Sequence, residues 1–548
     1  MTAKGLVLAV AALIVAIYGR GLAFPLTRDD IAHFGDRQRW ERPLWRLSAH
    51  FGEEFWARGS RSGLYRPLTA TTIQATEWFA GLEPFALKLG NAALLAATAL
   101  AAAALARRLG ASSGAATILA LLIAAHPLLS ETVLEVVSRS ETQAALGVLL
   151  CAYCFAGPSR GLGSSVAAGA WFLFALLSKE GAFAATPALF VLAVVRPPAS
   201  EPMARDLPPS QRGPFFPCLA LVAALVIALA ARAAVFGDLV GLDASEIARL
   251  DNPLVDQPFA TRLVTGVALL GRYLSLLFWP AGLSADWSFA AITPLHGLGD
   301  VHFVVGAAAL VAGSLWLAFA WRRGAAGRAE LAGLLAAGSS WLLISSIARP
   351  VGTILAERLF CLPTIGLLVA LVAALDRRLA APAPRRLAAG VALVAVAALA
   401  ARGFVRVGDW QSGLTLYTAA SRVAPDSARV QCTLGHITRE HGDLASAKPC
   451  LERALNILPD YGKAHAEMAA LLGTTGATGG ALVHLWLAAR APGATKQDEL
   501  AFQAASRRFA ADPRVRAEFK RYGQALVARR PDVELHRELG RELLKMGE

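Results

Sequence analysis

The run GLVLAVAALIVAIYGRGLAF, residues Gly5 to Phe24, decides how the rest of the chain is read. At about 1.5 Å per residue it is long enough to cross a hydrocarbon core of ~30 Å. Lys4 stands in front of it, and Gly21-Leu22-Ala23-Phe24 is a poor cleavage site, so the run is expected to stay as a first helix, cytoplasmic end first. Directly after it comes PLTRDDI, residues Pro25 to Ile31, where the adjacent carboxylates Asp29 and Asp30 would meet the outer membrane surface.

Composition agrees with a chain that crosses repeatedly. Of 548 residues, 55% are hydrophobic and 17% charged, with a mean hydropathy of +0.49, which is too apolar for a soluble protein of this length. The net charge of +13 lies in short clusters between apolar runs and not on a basic, aromatic-interleaved face, which excludes nucleic acid as a partner and leaves the bilayer. Cys151, Cys154, Cys218 and Cys361 lie in or beside apolar runs and read as small buried hydrophobes. Cys151 and Cys154 form a CxxC with no second Cys or His pair nearby, so no metal site is expected. Cys432 and Cys450 lie in a polar tail and could pair if that tail is in an oxidising compartment.

Further apolar segments fall near 85–106, 112–129, 141–157, 163–178, 180–195, 215–236, 302–321, 330–348, 359–376 and 386–403. The positive-inside rule wants Arg107-Arg108, Arg160, the connector from Arg196 to Arg212, Arg322-Arg323-Arg328 and Arg377-Arg378-Arg385-Arg386 on the cytoplasmic face. That holds if the stretch 262–281, with Arg272 near its middle, is an amphipathic surface helix. About eleven crossings result, and the loop with Asp29 and Asp30 shares the outer face with the C-terminal tail. Residues 25–84 carry Trp40, Trp45, Phe51, Phe55, Trp56, Tyr65 and Trp78, a composition suited to helices lying at headgroup level. The division expected is a membrane domain over 1–403 and an outer tail over 404–548. High Ala, Arg and Gly content points to a GC-rich bacterial source, hence an inner membrane with its site and tail on the periplasmic side.

The tail carries an internal repeat. Pro425 and Pro459, Trp410 and Leu444, Tyr417 and Leu451, Ala420 and Ala454, and Leu434 and Met468 are each 34 residues apart. That period is the tetratricopeptide signature, a helical hairpin stacked on its neighbours into an α-solenoid.

On this topology His126, Glu131, Glu135, Arg139 and Glu141 fall at one outer loop, and Lys179, Glu180, Asp286, Arg349, Glu357 and Arg358 join the same face. Charges at membrane depth are costly, and chains keep them where they pair or serve a pathway. They read either as one polar cavity or as solvated interfacial loops.

The ordered motifs Asp29-Asp30-Ile31, Glu54-Phe55-Trp56, Leu64-Tyr65-Arg66-Pro67-Leu68-Thr69, His126-Pro127, Arg139-Ser140-Glu141, Lys179-Glu180, Leu283-Ser284-Ala285-Asp286-Trp287-Ser288-Phe289 and Ala356-Glu357-Arg358 bring a family into view. In their order and spacing they resemble the transmembrane and tetratricopeptide-repeat O-mannosyltransferases and their prokaryotic relatives. The resemblance runs from about 25 to 375 and, through the repeats, over nearly the whole chain. It implies an all-α, polytopic helical bundle of the GT-C glycosyltransferase type. It also implies a polyprenyl-phosphate sugar donor, mannose or a similar hexose, and an acid on the first outer loop as catalytic base. Arg139-Ser140-Glu141 departs from the pattern in carrying Glu where relatives often have Asp, and the tail has fewer repeats than eukaryotic members.

The residue types suit that chemistry. A hydroxyl acceptor needs a carboxylate to take its proton, a role open to Asp29 or Asp30. A phosphate leaving group needs cations, for which Arg66, Arg139, Lys179 and Arg358 are available, Lys179 and Arg358 foremost. His126, Glu131, Glu141, Glu180, Asp286 and Glu357 would line the cavity around them. With these cations and no metal-ligand spacing, a metal-independent reaction without a cofactor is expected, and inversion at the sugar carbon follows by analogy. The acceptor would be a protein or peptide held by the tail. A glycosyltransferase modifying a lipid or cell-surface polysaccharide, and a non-catalytic membrane scaffold, are the other readings.

Overall fold

The computed structural model describes residues 2–35, 40, 42–56, 63–157, 161–195, 213–237, 247–379, 381–509, 511–528 and 533–545. Arg160 and the connector from Arg196 to Arg212 lie outside the described residues. Among the described residues there is no strand, only an isolated bridge between Phe289 and Ile292, and the protein is an all-α polytopic membrane bundle with a helical tail. The chain divides into two compact units, Met1–Ala285 with Pro294–Leu416, and Asp286–Thr293 with Tyr417–Glu548. The boundary lies later than the expected 403/404 because Pro382–Asp409 is one uninterrupted helix of 28 residues.

In the first unit, seven helices among the described residues are long and apolar enough to cross a membrane: Ala3–Ala23, Pro84–Arg108, Phe215–Phe236, Phe259–Phe278, Val301–Arg322, Glu357–Arg378 and Pro382–Asp409. Ser113–Ala125 and Pro127–Leu134, bent by 52° at their break, make an eighth if taken as one span. The other expected crossings are helices that do not qualify by length and hydropathy alone. Arg139–Ala156 begins with Arg139 and Glu141, and Leu162–Ser178 and Arg328–Ile344 have 17 residues each.

The stretch 262–281 corrects the sequence reading. It forms Phe259–Phe278, 20 residues of mean hydropathy 1.2, and so meets the criterion for a crossing that it was expected to miss. Arg272 suggested an interfacial helix, but it lies within electrostatic reach of Asp300. The helix packs closely against Val301–Arg322. A Cβ at Gly271 would overlap the carbonyl of His302, and one at Gly306 that of Val267. Small residues allow backbones to approach in this way without water between them.

Residues 25–84 also differ from expectation. Trp45 and Trp78 are exposed, as a headgroup-level loop requires, but Trp40 and Phe55 are buried in a small core with Phe34 and Ile73. His33 sits among their rings, 4.8 Å from Trp40 and 4.5 Å from Phe55 between centroids, and its carbonyl accepts a 2.9 Å bond from Trp40 Nε1. Such a core fixes the loop that presents Asp29 and Asp30.

The tail forms successive helices Ala428–Glu440, Leu444–Ile457, Gly462–Thr474 and Thr478–Ala488. Ala428 to Gly462 and Leu444 to Thr478 are each steps of 34, the period read in the sequence. Of the residues that carry that period, Trp410, Tyr417, Ala420, Leu451, Ala454 and Met468 are buried, Leu434 and Leu444 half-buried, and Pro425 and Pro459 exposed. Cys432 is buried and its thiol is pushed up to about 12 by desolvation; neither it nor Cys450 forms a disulfide.

Candidate active site

The site begins with a backbone feature. Arg28 precedes the helix Asp29–Phe34 at φ 53°, a conformation that costs a non-glycine residue about 1–3 kcal/mol. The turn sends the side chains of three consecutive residues to different partners. Arg28 reaches Glu131 at 2.8 Å and Glu135 at 3.3 Å. Asp29 faces Arg358 at 3.1 Å. Asp30 goes inward, fully buried, where it accepts the backbone N–H of Val136 at 2.9 Å and of Val137 at 3.0 Å.

The adjacent acids therefore occupy different environments. Asp30 caps the turn Val136–Ser138, and its carboxyl is raised to about 7, by burial first, with the two hydrogen bonds and Lys88 opposing that shift. Asp29 keeps a third of its side chain open at 33%. Arg358, 20% exposed, donates to Asp29, Glu131 and Glu135, and its own backbone N–H donates to Glu131 at 3.0 Å. The sequence reading selected Glu131 and Arg358 but not Arg28, and it left Glu135 outside the candidate set. Glu135 is pushed up to about 8, by burial first and then by Asp29 and Glu131, against the pull of Arg28 and Arg358. That shift favours the protonated form, which would leave two arginines against two carboxylates, Asp29 and Glu131.

A second charged group lies beside the first. Lys179 pairs with Glu141, and Arg66 pairs with Glu180 at 3.0 Å, while Glu180 also accepts the backbone N–H of Tyr65 at 2.7 Å. The Lys179 ammonium is within electrostatic reach of Arg66 and Arg358. Four of the predicted cavity residues, Glu131, Glu141, Glu180 and Glu357, thus act as partners of cations. Glu357 is buried, accepts the backbone N–H of Ser284, and lies 3.5 Å from Arg406, which also binds Asp409 at 3.0 Å.

Three predicted residues are placed elsewhere. Arg139 is buried and donates to Asn91 at 2.8 Å, the Thr72 carbonyl at 2.9 Å, Thr76 at 3.1 Å and the Leu87 carbonyl at 2.8 Å. These bonds tie helices together and spend the guanidinium, so Arg139 is not a phosphate ligand in this geometry. His126 is likewise structural, bonded to the Leu277 carbonyl at 2.9 Å and accepting the Leu128 N–H at 3.2 Å. Asp286 belongs to the second unit, where it faces Arg429 at 3.5 Å. No group of three or more His, Cys, Asp or Glu among the described residues is arranged to hold a metal ion.

The fold and site together define a multi-pass, all-helical membrane protein with a half-open carboxylate and paired cations at one end of its bundle. Residues 242–313 match the sequence profile of the family described as "Protein O-mannosyl-transferase TMTC, DUF1736". The chain is 24% identical over 485 residues to the mouse (Mus musculus) "Protein O-mannosyl-transferase TMTC3", covering 83% of this chain and 51% of that protein. It is 28% identical over 266 residues to the Xenopus laevis "Protein O-mannosyl-transferase tmtc2", covering 46% and 31%. The chain spans about half the length of the mouse and human relatives it matches. Among solved structures, "Crystal Structure of ArnT from Cupriavidus metallidurans in the apo state" aligns with a TM-score of 0.41 at 16% identity, over 88% of this chain and 80% of that one. The resemblance read from the motifs thus extends over most of the chain.

Proposed function

We propose that this protein is a GT-C-type membrane glycosyltransferase that moves a hexose, mannose or a close relative, from a polyprenyl phosphate to a hydroxyl of a protein acceptor. The observation that carries this is the half-open Asp29 carboxylate held 3.1 Å from Arg358 within the group of Arg28, Glu131 and Glu135. The named activity of the mouse and frog relatives supports the reaction class.

Asp29 is the base in this reading. It takes the acceptor hydroxyl proton as that oxygen bonds to the anomeric carbon, and the bond from that carbon to the phosphate oxygen breaks with its electron pair leaving on the phosphate. A single displacement inverts the carbon. In this reading Arg358 receives the phosphate charge, with Arg66 and Lys179 beside it, and the cations that stabilise the leaving group come from the chain. Asp30, fully buried on the Val136–Ser138 turn, is left as a positioning residue in this reading. The periplasmic face of a bacterial inner membrane suits the donor, and the repeat tail suits a peptide acceptor.

The experiment is Asp29→Asn against Asp30→Asn in membranes from an expressing strain, read by glycopeptide mass spectrometry of secreted proteins. Asp29→Asn is expected to reduce transfer about 10²- to 10⁴-fold with unfolding temperature unchanged. Undiminished transfer by that variant removes the base assignment, and secreted proteins with the same glycans in a deletion strain remove the protein acceptor.

A further inference from the structure

Arg358, which meets Asp29 at 3.1 Å, stands on the short turn Glu357–Phe360 that opens the helix Cys361–Arg378. The run leading into that turn, from Ser345 to Ala356, is not helical, so its backbone groups have to be fixed by neighbours. Asn252, which is buried, donates to the Val351 carbonyl at 2.8 Å and to the Ser346 hydroxyl at 3.0 Å, and the Asp251 carbonyl accepts the Ile354 N–H at 3.2 Å. A Cβ at Gly266 would overlap Ile347 and crowd the Ser345 carbonyl, so the helix Phe259–Phe278 lies directly against this run.

Tyr273 continues that face of the helix, two turns beyond Gly266, and is buried. Its hydroxyl donates to the Ala356 carbonyl at 3.0 Å and accepts the Ala356 N–H at 3.2 Å. The same carbonyl accepts the Leu359 N–H at 3.1 Å, the bond that closes the turn. The Tyr273 ring stacks on Phe360, 4.4 Å between centroids and 6° from parallel. One side chain thus holds the residue before the turn with its hydroxyl and the last residue of the turn with its ring, and Arg358 stands between them. A phenylalanine would supply the stack; the hydroxyl serves the backbone of Ala356.

From this geometry we infer that Tyr273 is a positioning residue for Arg358, holding the guanidinium where the phosphate charge develops, a role that rests on the transferase reading above. The donor is a phosphodiester with a single negative charge, and the polyprenyl phosphate that leaves is a monoester that takes up a second, with a pKa of ~6. A guanidinium held in place therefore binds more strongly as the bond breaks, and in the product, than in the bound donor. Loss of the Tyr273 hydroxyl lowers kcat and loosens the released lipid while the KM for donor changes little.

The test is a double-mutant cycle of Tyr273→Phe and Arg358→Gln in the full chain. Transfer of labelled mannose from polyprenyl-phosphate mannose to the secreted proteins of a deletion strain gives kcat per folded molecule and KM, and native mass spectrometry in nanodiscs gives retention of polyprenyl phosphate. Tyr273→Phe is expected to lower kcat about tenfold with KM for donor within about twofold, and to weaken retention about threefold. In the Arg358→Gln background it should add less than about twofold to either loss. Equal losses in both backgrounds overturn the positioning role, and so does a lowered unfolding temperature with kcat and retention as in the parent. Where a single variant fails to fold, Phe360→Leu stands in for Tyr273→Phe and Arg358→Lys for Arg358→Gln, with the same outcomes. Undiminished transfer by Asp29→Asn removes the base assignment without touching Tyr273, whose role is then read on retention alone. No retention of polyprenyl phosphate by the parent overturns the phosphate as the ligand of Arg358, and the role of Tyr273 with it.

Discussion

The two ends of the helices Pro84–Arg108 and Cys361–Arg378 are both charged, but they are charged differently. At the Asp29 end, four cations are paired with acids: Arg28 and Arg358 share Glu131 and Glu135, Lys179 has Glu141, and Arg66 has Glu180. At the other end, three arginines line a cavity whose one carboxylate is already bonded to Ser112 and Arg385. Balanced charge with one half-open carboxylate suits the proposed chemistry, in which the group that changes protonation is the one left open. At the far end the acids Glu330 and Asp376 take up Arg377 and Arg385, so the pairs there join one helix end to another.

The largest expected effect after loss of transfer in Asp29→Asn is structural. Glu131→Ala leaves the buried ends of Arg28 and Arg358 without their shared partner, and breaking a buried pair costs about 3–5 kcal/mol. Urea or thermal unfolding in detergent measures this; a loss under about 1 kcal/mol would mean that Glu135 alone carries both arginines.

A smaller effect separates the adjacent acids. Asp30→Asn replaces one oxygen that accepts from a backbone N–H, so a buried donor loses its partner at a cost of about 1–3 kcal/mol. Asp29→Asn should leave stability within about 0.5 kcal/mol of the parent. If the two variants unfold alike, the contrast between a capping acid and a working acid fails.

The pH dependence is gentler still. Asp30 and Glu135 have folded values raised to about 7 and about 8, against ~4 in an unfolded chain. Between those limits the folded state holds protons that the unfolded state has lost, so stability is fully present below pH ~4 and falls as pH rises through 7 and 8, by at most ~1.4 kcal/mol per pH unit for each group. Glu135→Gln should flatten the upper part of that slope in thermal unfolding from pH 5 to 9. A slope identical to the parent's would show that Glu135 does not change charge there. The balance of two arginines against two carboxylates would then be wrong.

Much of the fold was legible in the sequence because membrane helices and helical repeats are local patterns. The first apolar run, the basic pairs Arg107-Arg108 and Arg377-Arg378 at helix ends and the 34-residue step between helix starts are found among the described residues. Two features were misjudged for the same physical reason. Arg272 marked 262–281 as an interfacial helix, and Arg139 looked like a phosphate ligand; in each case the charge is met by groups distant in sequence, Asp300 in one and Thr72, Thr76, Leu87 and Asn91 in the other. Among the described residues seven to eight helices qualify as spans, against about eleven expected, because Leu162–Ser178 and Arg328–Ile344 stop at 17 residues and Arg139–Ala156 opens on Arg139 and Glu141.

What the sequence determined alone was a multi-pass helical chain with two acids after its first helix, an ordered set of charged motifs and a repeating tail. It left those acids equivalent, since adjacency in a chain says nothing about direction. Only the tertiary structure, through the positive φ of Arg28, turns Asp30 onto the backbone of Val136 and Val137 and leaves Asp29 against Arg358. The same holds for the arginine cavity: Arg108, Arg328 and Arg377 lie in separate runs, and only helix packing brings them to one wall. Environment and convergence are properties of packing, and packing is decided between segments.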